Sequence, residues 1–257
     1  TGRLDYGTEN PGVERETNGY AGYTFDGWSP EVAETVNGNA IYVAQWKANT
    51  GTKYTVEYYY QKDGAYPEEA TDSAERTGTT DTTASVTDED KTPTEAGYVY
   101  DTAAANVESG TIAGDGSLVL KVYFKEQFTV TYEADGHGSI DGSASQTVDW
   151  GASTTEVTAE ADEGYHFVKW SDDNTNATRN ENDVKADATY TATFAPDEDT
   201  KYTVEYWYQN AESGNYEKVN ETTRNEGTTD AEVSVTDADK TPTSEDEHYV
   251  LNEAMAD

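Results

Sequence analysis

KYTVEYYYQ (residues 53–61) returns as KYTVEYWYQ (201–209), with Tyr59 replaced by Trp207 and nothing else changed. The stretch alternates. In an extended strand successive side chains point to opposite faces, so Tyr54, Val56, Tyr58 and Tyr60 share one face, and Lys53, Thr55, Glu57 and Tyr59 share the other. A nine-residue strand written twice points to a duplicated β-module, and repeats decide a fold before any local signal does.

The match runs on beyond the strand. GTTDTTASVTDEDKTPT (78–94) returns as GTTDAEVSVTDADKTPT (227–243). A second, different repeat is interleaved with the first: GYTFDGWS (22–29) with GYHFVKWS (164–171), LDYG (4–7) with VDWG (148–151), and YVAQW (42–46) with YTATF (190–194). Calling the first kind A and the second B, the order is B (1–48, incomplete), A (49–126), B (127–196) and A (197–257, incomplete). The central B module opens with FTVTYEADGHGSI (128–140), which has no counterpart before Leu4. The first A module closes with SGTIAGDGSLVLKVYF (109–124), which the last never reaches.

Other local signals are also β. SLVLKVYF and FTVTYEA are rich in β-branched and aromatic residues, and DGHGS, AGDGS and KDGAY read as turns. TDEDK (87–91) and TTEVTAEAD (154–162) are expected to form a helical turn or short helix. The predicted fold class is therefore mainly β, each module a small, mostly antiparallel sheet with at most one short helix.

Composition narrows the function. Against 16 basic side chains stand 52 acidic ones, a net charge of −36. A surface this anionic repels phosphate backbones and acidic headgroups, so nucleic acid is excluded as a partner. No run approaches the roughly 20 apolar residues of a membrane-spanning helix, so no membrane insertion is expected. The chain has no cysteine and a single methionine, Met255. Without disulfides, modules of this size rely on neighbouring modules for stability. With no start and no targeting segment, the chain reads as an internal piece of a longer protein.

On these residues the type A segments, TVEYYYQKDGAY with SGTIAGDGSLVLKVYF, resemble the MucBP (mucin-binding protein) repeat. The type B segments, TVTYEADGHGSI with VDWG, GYHFVKWS and YTATF, resemble the internalin B-repeat, also called the Listeria–Bacteroides repeat. The resemblance implies small β-grasp-like α+β modules strung as an extended tandem array, Gram-positive cell-surface proteins, an extracellular location, wall attachment through parts outside this chain, and adhesion or display.

No catalytic constellation emerges. His137, His166 and His248 lie in different modules and do not recur between copies. No nucleophile elbow, phosphate loop or dinucleotide fingerprint is present. The expected function is a non-enzymatic stalk or fibre, with no cofactor. The alternative is a module that binds a host glycan or protein ligand through exposed aromatics. Tyr59 and Trp207, on the polar face of their strands, are the platform such binding would use, or else cross-strand cover. Trp28 and Trp170, in a repeated frame, read as core anchors. DDNTNATRNEND (172–183) sets Asp172, Asn174, Asn176 and Asp183 at the spacing of a calcium loop, although Ala177 stands where such a loop needs glycine. Lys53 and Lys201, like Lys91 and Lys240, recur as they would for intramolecular isopeptide bonds, but also as ordinary solvated charges. Finally, an incomplete terminal module leaves an open sheet edge, through which filaments could assemble.

Overall fold

A computed structural model describes residues 7, 9, 19–241 and 250–252. These divide into two compact units. The first takes in the described residues up to Phe128 together with 148–152 and 183–185; the second takes in 129–147, 153–182 and the rest.

In the first unit, β1 (Tyr23–Ser29) pairs antiparallel with β2 (Val43–Ala48), and a bulge between Phe25 and Gly27 shifts the register. Then come β3 (Thr52–Tyr60), β4 (Asp72–Gly78), β5 (Thr83–Ser85), β6 (Tyr98–Tyr100), β7 (Ser109–Thr111) and the 16-residue β8 (Val119–Ala134). β3 is antiparallel to β4 and parallel to β8, with Thr55 opposite Val119 and Tyr60 opposite Phe124. β6 runs antiparallel along the other side of β8. Parallel neighbours require a long crossover, usually a helix; here the crossover holds the small β5–β7 pair instead. The predicted strand faces hold: Val56, Tyr60, Leu120, Val122 and Phe124 form the core with Ala84 and Ile112 from the crossover, and Tyr54 and Tyr58 pack against it.

SLVLKVYF and FTVTYEA join into one strand, because Lys125, Glu126 and Gln127 between them contain neither glycine nor proline to break it. KDGAY closes as a two-residue turn, with Asp63 and Gly64 both at positive φ and paired amide–carbonyl bonds between Lys62 and Ala65. Gly64 is there for a second reason: a Cβ on it would lie 2.5 Å from the Trp150 indole.

In the second unit, residues 129–134 at the end of β8 are followed by β9 (Gly138–Asp141), β10 (Ser145–Asp149, of which Val148 and Asp149 belong to the first unit), β11 (Val157–Ala161), β12 (Tyr165–Trp170), β13 (Thr178–Arg179) and β14 (Ala188–Pro196). β14 lies parallel to that end, with Ala188 opposite Val130, and antiparallel to β12. β9, β11 and β13 form a separate three-stranded sheet. Val130, Tyr132, Val157, Ala159, Trp170, Ala192 and Phe194 are buried. A bulge between Phe167 and Lys169 repeats the one in β1, so both copies of the Gly-Tyr-x-Phe frame kink at the same place. β15 (Thr200–Gln209) and β16 (Tyr216–Gly227) form an antiparallel pair.

The expected helices are absent among the described residues. TTEVTAEAD contains β11 instead, because Val157 and Ala159 alternate into the core with β-branched neighbours. TDEDK stops after one turn. The Thr87 amide and hydroxyl both donate to Asp90, at 2.7 and 2.9 Å, and Pro93 cannot continue a helix. Asp90, 3% exposed, also receives the Tyr58 hydroxyl at 2.5 Å and the Arg76 guanidinium. The same set recurs as Asp239 with Thr236, Tyr206 and Arg224. No helix among the described residues is long and apolar enough to cross a membrane.

Candidate functional site

The two copies of the altered strand position differ in exposure. Tyr59 is 4% exposed. Its ring stacks on Tyr123 at 4.6 Å, and Tyr66 meets Tyr123 edge-on at 4.9 Å. The Tyr59 hydroxyl donates to Glu57 at 2.6 Å and accepts from Lys121 at 3.1 Å. The Tyr66 hydroxyl donates to Asp101 at 2.7 Å; burial first, then this carboxylate, pushes its pKa up. The bond to Glu57, ahead of burial, raises that of Tyr59. Tyr59 is thus no platform. The parallel pairing of β3 with β8 sets Tyr123 directly beside it, and two aromatic faces meet on the side of the sheet away from the core.

Trp207 is 51% exposed. Its indole N–H donates to Glu205 at 3.0 Å, and Lys218 bridges Glu205 and Glu221 at 3.1 and 2.9 Å. Among the described residues β15 pairs with β16 alone, and a register shift between Tyr206 and Trp207 interrupts that pairing. An open indole face bordered by a carboxylate and an ammonium group is chemically suited to stack on the C–H face of a sugar or on a partner's side chain.

The calcium-like run resolves into successive side-chain turns. Asp172 accepts the Asn174 amide, Asn174 accepts the Asn176 amide, and Asn176 accepts the Thr178 amide. The Asp172 carboxylate is held in a fork by Arg179 at 3.1 and 3.0 Å, which keeps its pKa below the usual range. Asp183 belongs to the first compact unit and pairs with Lys185 at 2.7 Å. Among the described residues no three acidic or histidine side chains cluster as a metal site. Sequence spacing suggested ligands; in the fold Asp172 and Asp183 meet cations of the chain itself.

Arg179 went unnoticed in the sequence. Its buried guanidinium lies 3.7 Å over Tyr190 and 5.0 Å from the Trp170 ring, with Glu181 completing its pairing. It is a core strut of the B module, and Trp170, fully buried, is the anchor expected. Trp28 is half-buried and meets Phe25 edge-on at 5.5 Å. His137 stacks on Tyr165 at 4.1 Å, His166 bonds Asp197 at 2.8 Å, and His248 lies outside the described residues. Lys53 pairs with Glu75 at 2.8 Å and Lys91 with Glu108 at 2.6 Å, both as partly solvated ion pairs.

Residues 128–198 match the family model of the divergent InlB B-repeat domain. This span runs from the second half of β8 through β14 and includes the Gly-Tyr-x-Phe-x-x-Trp frame. No curated protein matches the chain. Among solved structures, the crystal structure of Mub-RV is 15% identical over 57% of this chain and 99% of that one, at a TM-score of 0.20. Domains 3–4 of the Streptococcal High Identity Repeats in Tandem (SHIRT) from a cell surface protein are 20% identical over 55% and 96%, at 0.16.

Proposed function

We propose that this chain is a non-enzymatic structural stretch of a bacterial cell-surface protein, in which two kinds of β-module alternate to give reach. The observation that carries this reading is the InlB B-repeat match at residues 128–198, set in a chain that writes both module types twice. The acidic balance supports it, since like charge along the surface keeps neighbouring copies apart. The A modules fill the MucBP-like role in the alternation. Small-angle scattering of the whole chain tests this. A rod-like profile with the cross-section of one module is expected, and a compact profile overturns it.

A second reading rests on Trp207 alone. Its half-exposed indole, bordered by Glu205 and Lys218, is suited to contact a host glycan or protein. Binding on a glycan array that Trp207→Ala abolishes would support adhesion through this module. Binding that survives the substitution removes Trp207 from it.

A further inference from the structure

The passage from a B module into the following A module occurs twice, and its two linkers, KANTGT (47–52) and APDEDT (195–200), share only the final threonine. The bonding is nevertheless the same. The Asn49 amide donates to the Gly22 carbonyl at 2.8 Å, and the Asn49 carbonyl accepts from the Thr80 amide at 2.9 Å. In the second passage the Asp197 amide donates to the Gly164 carbonyl at 2.8 Å, and its carbonyl accepts from the Thr229 amide at 2.9 Å. One linker residue is therefore bonded through its backbone to a B turn on one side and an A turn on the other.

Side chains complete the arrangement in parallel. The Thr80 hydroxyl meets that of Thr52 at 2.7 Å, and Thr229 meets Thr200 at 2.5 Å. The Tyr23 hydroxyl donates to Asp81, and the Tyr165 hydroxyl donates to Asp230. Asp81 and Asp230 both hold left-handed backbones, at φ 66° and 60°. Glycine is required on the B side: a Cβ on Gly22 would come within 2.5 Å of the Thr80 hydroxyl, and one on Gly164 within 2.9 Å of that of Thr229. Linkers that diverge while the turns they join keep their contacts are what a selected interface produces, and what a passive tether does not.

From this we infer that the Gly-Tyr turn of a B module (Gly22-Tyr23, Gly164-Tyr165) is the docking partner of the Gly-Thr-Thr-Asp turn of the next A module (78–81, 227–230). B and A are thereby joined as one two-module unit whose joint is fixed by hydrogen bonds rather than hinged. The central bonds come from the backbone, which excludes proline for want of an N–H. In both passages the linker side chain adds an oxygen to the residue after the B tyrosine: Asn49 Oδ1 accepts from the Thr24 hydroxyl at 2.6 Å, and Asp197 Oδ1 meets His166 at 2.8 Å. The joint holds whether or not the chain serves as a stalk, and a compact scattering profile would leave it standing.

Hydrogen exchange on the native, full-length chain tests the joint directly. The amides of Asn49, Thr80, Asp197 and Thr229 are expected to exchange at least a hundredfold more slowly than in an unfolded peptide. Exchange of the Asn49 and Asp197 amides at the free-peptide rate, with the Val56 and Val122 amides still protected, overturns the proposal. In the Asn49→Pro variant the Thr80 amide is expected to lose at least tenfold of its protection while Val56 keeps its own; unchanged protection at Thr80 also overturns it. Should that variant lose Val56 protection as well, the double variant Tyr23→Phe/Tyr165→Phe takes its place. It removes only two hydroxyls, and it is expected to speed exchange at the Thr80 and Thr229 amides several-fold, an unchanged rate counting against the interface.

Discussion

β3 and β15 carry the same nine residues except for one, yet among the described residues the first is the middle of a sheet and the second is an edge. β3 is flanked by β4 on one side and β8 on the other, whereas β15 meets β16 alone among the described residues. Local sequence set the strand and the face in both: Val56 and Val204 are each buried, and Tyr58 and Tyr206 each reach an aspartate. The partner strand set everything else. Tyr123 on β8 turns Tyr59 into a buried stacking residue, and without an equivalent neighbour Trp207 stands half in solvent. The burial of an aromatic on the second face of a sheet is a property of the pairing, not of the strand that carries it.

The comparison can be broken most severely from β8. Leu120→Ala removes a fully buried side chain opposite Val56 and is expected to destabilise the first A module by about 2–5 kcal/mol. Denaturant unfolding followed by amide signals should show the loss at Val56 and not at Val204; equal losses at both would mean that the copies share one core. Asp90→Asn comes next. It leaves the Arg76 guanidinium without its buried partner and is expected to destabilise by about 3 kcal/mol, read from the same unfolding curves.

Tyr59→Ala is expected to destabilise by about 2 kcal/mol through the lost stack on Tyr123, whereas Trp207→Ala should stay within about 0.5 kcal/mol. Similar values at the two sites would show that β15 has a cover of its own. The smallest effect is a matter of pH. Asp239 is held down to about 2, first by the Thr236 hydroxyl and amide and then by Tyr206, with Arg224 beside it. For Asp90 burial works upward, but Thr87, Tyr58 and Arg76 still keep it below the ordinary range. A depressed carboxylate stabilises the fold above its unfolded pKa, near 4, and that stabilisation is lost as pH falls through the folded value. The melting-temperature difference between the natural chain and Asp239→Asn should therefore be constant near neutrality and shrink between about pH 4 and pH 2. A difference that stays level to pH 2 would contradict the assignment.

Much of this was legible beforehand because alternation and duplication are local signals. The core face of KYTVEYYYQ, the turn at Asp63-Gly64 and the anchoring Trp170 follow from strand geometry, positive φ and a repeated frame. One misreading and one ambiguous spacing have physical causes. The acidic run at 154–162 was open to a helical reading because short segments carry too few periods to separate a turn of helix from a strand, and β11 formed once Val157 and Ala159 found a core. The spacing of Asp172, Asn174, Asn176 and Asp183 suggested a cation, but spacing says nothing of Arg179 and Lys185, which supply positive charge from the chain itself. Arg76 with Asp90, and Thr80 with Asp81, were visible only as identities between copies. A repeat shows that a residue was retained without showing what it touches.

By itself, the sequence determined that two different stretches are each written twice in alternation, that the repeated stretch at 53–61 and 201–209 is a strand, and which of its side chains turn inward, because strand periodicity is fixed by backbone geometry alone. Only the tertiary structure decided which strands lie side by side, that Tyr59 is covered while Trp207 is open, and that the Gly-Tyr and Gly-Thr-Thr-Asp turns meet. Those outcomes depend on contacts between residues far apart in the chain, and no local pattern encodes the neighbour that a side chain will find.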